Sequence, residues 1–131
     1  MGHFGLADAI TVYNTYLDHN HRLFAYLQVV AGGGAAFVWA DRRDQEVVYA
    51  ILVGFLVIAV SNARLFWLSQ KSLITIAAAI HKLCDQDEEM DPALRPVVAT
   101  YEAYGLWSMM LLYIAITVMG ALAIGAALVW R

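Results

Sequence analysis

His81 and Cys84 stand three residues apart, so on a helix they share a face and offer zinc an imidazole and a thiolate. A complete site needs two further ligands. His19 and His21 are two apart and diverge if helical, so no metal site is expected. Haem across a bilayer fares no better, because no histidine lies inside an apolar run. The acidic stretch from Asp85 to Asp91 has the charge of a calcium loop without its glycine or its ligand spacing. It reads as a solvated tip.

The remaining candidates are polar residues inside apolar runs. Arg64 lies about one turn inside Trp67, with Ser61 and Asn62 beside it. A charge there marks an ion path or a lipid headgroup contact, and snorkelling to the interface is the plainer reading. Gln28, Tyr113 and Thr117 are the other polar groups at that depth. Thr117 can bond its own helix, and Tyr113 can serve as buried aromatic area with a satisfied hydroxyl. If several copies surround an axis, Gln28, Asn62 and Tyr113 are the candidates to line it, with Arg64 near its mouth. No nucleophile with a neighbouring base, no glycine-rich phosphate loop and no paired intramembrane carboxylates occur, so neither an enzyme nor a cofactor is expected.

The elements that must position these residues follow from composition. At 62% hydrophobic and 15% charged, the 131-residue chain is too apolar for an ordinary soluble domain. Leu23 to Ala40, Val47 to Ala63 and Ala103 to Trp130 carry no charge, which gives three transmembrane helices. Tryptophan favours the headgroup level, so Trp39 and Trp130 mark one interface and Trp67 and Trp107 the other. A net charge of −3 without a basic stripe excludes nucleic acid as a partner. Asp8, Asn14 and Asp18 stand where a signal peptide's apolar core would be, so no cleaved leader is expected.

Before the first span, Leu6, Ile10, Tyr13 and Leu17 recur at helical spacing and predict an amphipathic helix over residues 6–20. It lacks the basic face of a membrane-surface helix, so it is expected to pack on protein. Asn20 is placed to cap the first span, residues 22–40. Within that span Gly32, Gly33 and Gly34 sit among alanines, and Gly120 and Gly125 occupy the third. Close helix packing is the favoured reading of these glycines; a kink at the glycine run is the alternative.

Asp41-Arg42-Arg43-Asp44 turns the first span into the second. From there a helix over residues 46–84 extends about 58 Å, nearly twice the hydrocarbon thickness. Asp91-Pro92 gives an N-cap and a first-turn proline, with a second start at Pro96, and a third helix is expected over residues 92–130. The long second and third helices then form a hairpin beyond the membrane. On it Leu94, Val97, Val98 and Tyr101 cover the stripe of Leu73, Ile76, Ile80 and Leu83, and Lys71 and Glu102 come to similar heights. The N-terminus shares the hairpin's side. Arg22, Arg64, Lys71, Lys82 and Arg95 there outnumber Arg42, Arg43 and Arg131 opposite, which points to a cytoplasmic hairpin.

The pre-membrane helix with Tyr13, Tyr16 and Arg22, the short turn, and Ser61-Asn62-Ala63-Arg64-Leu65 leading on through Lys71 give the chain a family likeness over much of residues 10–84. It resembles small bacterial membrane proteins, namely SLATT-type two-span effectors of nucleotide-signalled antiphage defence and the oligomeric RipA family. The resemblance implies a homo-oligomer of the bacterial inner membrane that opens a pore or perturbs the bilayer. Such effectors often end in a cytosolic sensor region, whereas this chain returns through the membrane. Ligand or protein sensing would therefore reside in the 70–104 hairpin or in a partner. Two other functions fit the same features: a non-catalytic accessory subunit of a larger membrane complex, and a holin-like protein, against which the long hairpin counts.

Overall fold

Both prolines of the chain lie beyond residue 90, and two very long helices form before them. The computed structural model describes residues 4–40 and 44–130. It contains α1 (Leu6–Ala40), α2 (Gln45–Gln86), the single turn α3 (Arg95–Val98) and α4 (Leu106–Gly125), followed by a 3-10 turn, Ala126–Leu128. Among the described residues there are no strands, and three helices are long and apolar enough to cross a membrane. Asp41, Arg42, Arg43 and Arg131 lie outside the described residues, and with them the charged turn and half of the orientation argument.

At 35 and 42 residues, α1 and α2 are roughly 52 and 63 Å long. Each therefore projects well past a hydrocarbon core of about 30 Å. The amphipathic segment and the first span are one helix, not two, because no proline or positive-φ residue breaks the chain between them. The helix also runs without interruption through Gly32, Gly33 and Gly34. Asn20 is consequently not a cap; it is buried inside the bundle.

Buried residues fall into two groups. In the membrane half, Leu27, Val48, Phe55, Phe66, Tyr113 and Ile124 form a core shared by α1, α2 and α4. Phe66 stacks on Tyr113 with centroids 5.3 Å apart, and Phe24 meets Phe66 edge-on at 4.7 Å. In the projecting half, a head, Ala9 and Tyr13 of α1 pack on Leu73, Ala77, Ile80 and Cys84 of α2, with Val98 of α3 closing over them. The N-terminal segment thus packs on protein. Trp67 and Trp107 touch edge-on at 5.5 Å, which puts them at one level between the two cores. At the far end Trp39 Nε1 donates to the Ala123 carbonyl at 2.8 Å.

The return path departs most from expectation. Asp91 Oδ1 accepts from the Ala93 N–H, but helix forms only from Arg95, around Pro96, and ends at Val98. A strap, residues 99–105, then climbs to α4 without helical structure. Of the residues expected to cover the stripe, Val98 is buried on it and Tyr101 packs against it half-buried, while Leu94 and Val97 are exposed. The Lys71 to Glu102 ion pair does not form; among the described residues the pair within reach is Asp18 with Arg22, on the surface of α1.

Small residues matter at two places in the chain. A Cβ on Gly120 would lie 2.8 Å from Phe55 Cζ and 2.9 Å from the Ala31 methyl, and one on Gly34 would lie 3.1 Å from Ile124 Cδ1. Gly32, Gly33 and Gly125 face open space and make no close helix contact within the chain. Overpacking a tight core costs about 1–3 kcal/mol, and Gly54 on α2 has no such neighbour. Gly120→Val is therefore expected to lower the thermal midpoint in detergent clearly more than Gly54→Val, which carries the same intrinsic cost. Equal midpoints, followed by circular dichroism, would contradict the close approach of α4 to α1 and α2.

Candidate functional site

Where the head meets the spans, the strap lies against α1 and α2, and three side chains donate to its carbonyls. The Tyr13 hydroxyl donates to the Glu102 carbonyl at 2.6 Å, Gln70 Nε2 to the Tyr104 carbonyl at 2.8 Å, and His81 Nε2 meets the Tyr101 carbonyl at 3.0 Å. A carbonyl cannot donate, so His81 holds its proton on Nε2. These bonds replace the intrahelical partners that the strap gave up. They are also the reason a third helix does not run from 92 to 130.

Gln70 is the hinge of a relay. Its Nε2 must be the group facing the Tyr104 carbonyl, which leaves its Oε1 to accept from Asn20 Nδ2 at 2.8 Å. The orientation of Asn20 is fixed in turn, and its Oδ1 is left buried with no donor. Both residues are almost wholly buried, Asn20 at 2% and Gln70 at 1% exposure. One residue earlier, the Ser69 hydroxyl is also buried and unpaired. An unsatisfied buried acceptor costs about 1–3 kcal/mol.

Beside the relay lies a cavity of about 420 Å3. Leu17, Phe24, Leu73 and Met109 supply apolar wall, Asn20 and Gln70 the polar wall, and the strap the remaining side. His21, Glu102 and Tyr104 line it and are exposed, so they form its mouth. No lysine or arginine is among its lining residues.

The residues singled out from sequence are distributed differently. Asn62 is buried and donates to the Leu23 carbonyl at 3.3 Å; Tyr113 is buried and donates to the Ala59 carbonyl at 2.8 Å. Both are spent inside the bundle. Arg64 is exposed near the Trp67 level. Gln28 is exposed on α1 beside a shallow groove lined by Gly32, Ala35, Gly120 and Ala123. His81 and Cys84 have separate partners, the thiol facing Met90 Sδ at 3.3 Å, and no group of three metal-binding side chains occurs among the described residues.

Sequence reasoning missed Asn20 and Gln70 as a pair. A signal was present: Tyr13, Asn20, Leu23, Leu27 and Ala31 are all buried on α1 at steps of three, four or seven. Asn20 therefore occupies an inward position of a heptad-like stripe, where a polar side chain needs a partner.

Burial, then the neighbouring Tyr101 and Glu102, hold the Tyr13 hydroxyl above its usual value of 10.0. A raised folded-state value means that this contribution to stability is complete below about pH 10 and is lost as pH rises through the raised value. Tyr13→Phe is expected to cost about 0.5–1.5 kcal/mol at neutral pH. It should also flatten the alkaline fall in head stability, read as the thermal midpoint between pH 8 and pH 11. Superimposable pH profiles for the two proteins would refute this role. Comparison with protein families, curated proteins and solved structures finds no match to this chain, so its chemistry is read from these residues alone.

Proposed function

We propose that the chain is a protomer of a homo-oligomeric membrane assembly that opens a pore or perturbs the bilayer, with its head as the element that receives a signal. The observation that carries this reading is Gln28. Eight residues deeper along α1 than Asn20, it lies about 12 Å further into the membrane half, exposed beside the small-residue groove between α1 and α4. A primary amide in hydrocarbon costs several kcal/mol without a partner. A second copy offers the same amide, and Gly32 and Gly33 leave room for its backbone to approach.

The interior of each protomer is filled by Phe24, Phe55, Phe66 and Tyr113. Any conduction path on this reading runs between copies, lined by Gln28 with Arg64 near one mouth. On this reading the assembly sits in the bacterial inner membrane, as the resemblance implies, and the excess of arginine and lysine on the head side supports a cytoplasmic N-terminus and head. As an effector of the kind the resemblance implies, the head would gate it.

A second reading has its own support. Asn62 and Tyr113 are consumed internally, so the outer surface of the spans presents no continuous polar face. An accessory subunit that docks on a larger membrane protein would look the same.

Native mass spectrometry from gentle detergent, with dye and ion flux through liposomes, separates the two. The pore reading expects a symmetric homomer that leaks, and Gln28→Leu and Gly32→Leu that each shift the assembly towards monomer and reduce flux several-fold. A monomer without flux at any protein-to-lipid ratio overturns it. A fixed hetero-complex recovered from native membranes favours the accessory subunit.

A further inference from the structure

We propose that neighbouring copies of this chain meet through two different faces of the α1/α2 pair, the outer side of α1 on one copy against the outer side of α2 on the next. The proposal rests on the homo-oligomeric reading above and specifies its contact.

Charge separates the two faces. Between residues 47 and 84, α2 contains no aspartate or glutamate, while Arg64, Lys71 and Lys82 are all exposed on it. Steps of seven and eleven residues come close to whole numbers of helical turns, so the three cations form one row. The row lies opposite the buried Phe66, Leu73 and Ile80 and so faces away from α1. Residues 4–21, by contrast, contain no lysine or arginine. Thr11, Thr15 and Asp18 are exposed opposite the buried Tyr13 and Asn20 of α1, with the exposed Asp8 at the edge of that side. One face is acidic and the other basic. Among the described residues Arg64, Lys71 and Lys82 have no ion pair, and Asp18 holds Arg22 through Oδ2 at 2.9 Å, which leaves its Oδ1 for a second cation.

Height matters as much as sign. Copies inserted the same way up in one membrane bring together only residues at the same level. The bond between Asn20 and Gln70 sets the level of α1 against α2, and both helices rise by the same amount per residue. Two residues outward from that bond lie Asp18 and Ser72, the neighbour of Lys71; five outward lie Thr15 and Thr75; twelve outward lie Asp8 and Lys82. Thirteen residues the other way, inside the spans, lie Gly33 and Val57. A Cβ on Gly33 would meet nothing within 4 Å, and Val57 is 59% exposed. Acid thus faces base twice in the head, and a gap faces a side chain in the spans. Exposed ion pairs contribute little affinity; their part is to select the partner face and its alignment. Because the two faces differ, the contact is heterologous, and repetition about an axis normal to the membrane closes it into a ring.

The test uses the full chain in liposomes, with Thr15→Cys and Thr75→Cys and a short bismaleimide. Both threonine hydroxyls bond only their own helix, so the exchanges leave the bundle intact, and the two positions lie on opposite sides of one copy, out of reach of each other. The double variant should give a ladder of crosslinked species beyond the dimer. Either single variant, which keeps the buried Cys84, should crosslink no more than the unaltered chain, and a mixture of the two should stop at dimers. Asp18→Lys and Lys71→Glu should each lower the ladder several-fold, and together they should restore it. Native mass spectrometry of the charge variants reads the same loss and rescue without any introduced thiol. A homomer without the ladder overturns the contact and leaves the homo-oligomeric reading standing, whereas a monomer overturns both. Crosslinking by Thr15→Cys alone or Thr75→Cys alone as strong as by the pair means that one face meets itself, which overturns the proposal. Absence of rescue by the paired charge reversal does so too, because Lys71 then serves lipid phosphates and not Asp18 of a second copy.

Discussion

The strap is held by side chains rather than by its own backbone, and most of the head follows from that. Residues 99–105 could have continued a helix into α4, and their composition does not forbid it. Tyr13, Gln70 and His81 each offer a buried or half-buried donor at a height where a strap carbonyl can meet it. A helical segment there would spend its carbonyls internally and leave those donors unpaired, at about 1–3 kcal/mol for each one that stays buried. The unwound strap satisfies both sides.

Two kinds of energetics meet at this level. In the head, water drives burial, and a large apolar side chain removed from it contributes about 1.5–3 kcal/mol; Leu73, Ile80 and Val98 act in this way. In the spans the surroundings are as apolar as the core, so shape and hydrogen bonds must hold the helices together. The near contact of Gly120 with Phe55 and Ala31, the Phe66 stack on Tyr113, and the bonds from Asn62 and Tyr113 to neighbouring helices serve there. Trp67 against Trp107 marks the changeover.

The three spans and the length of α2 were legible in the sequence because each depends on local composition and on a fixed rise per residue. The apolar runs and the absence of proline before Pro92 suffice for them. The union of the first amphipathic segment with the first span was less legible, since Asn20 at the junction has the chemistry of a cap and only its burial shows otherwise. The strap was not legible at all. Its cause lies in donors 20 to 89 residues away in the chain, and no local pattern encodes a carbonyl's distant partner. The candidate site suffered in the same way: Asn62 and Tyr113 are conspicuous as polar groups in apolar runs yet are consumed within the bundle, while Asn20 and Gln70 lay in segments where polar residues are ordinary.

The relay also answers a problem of register. Two helices as long as α1 and α2, paired through stripes of leucine, alanine and phenylalanine, can slip by a turn and still bury similar area. A slip of one turn moves Asn20 about 5 Å from Gln70, takes Gln70 from the Tyr104 carbonyl, and strands two amides in a layer where water does not reach. Polar pairs in otherwise apolar helix seams set alignment in this way, at some cost in stability. Placed at the border between head and spans, the pair fixes both halves at once: the head stripe of Tyr13 against Leu73, and the membrane stripe of Leu27 and Ala31 against Phe55. The unpaired oxygen of Asn20, buried beside Gln70, is the part of that cost which the protein leaves open.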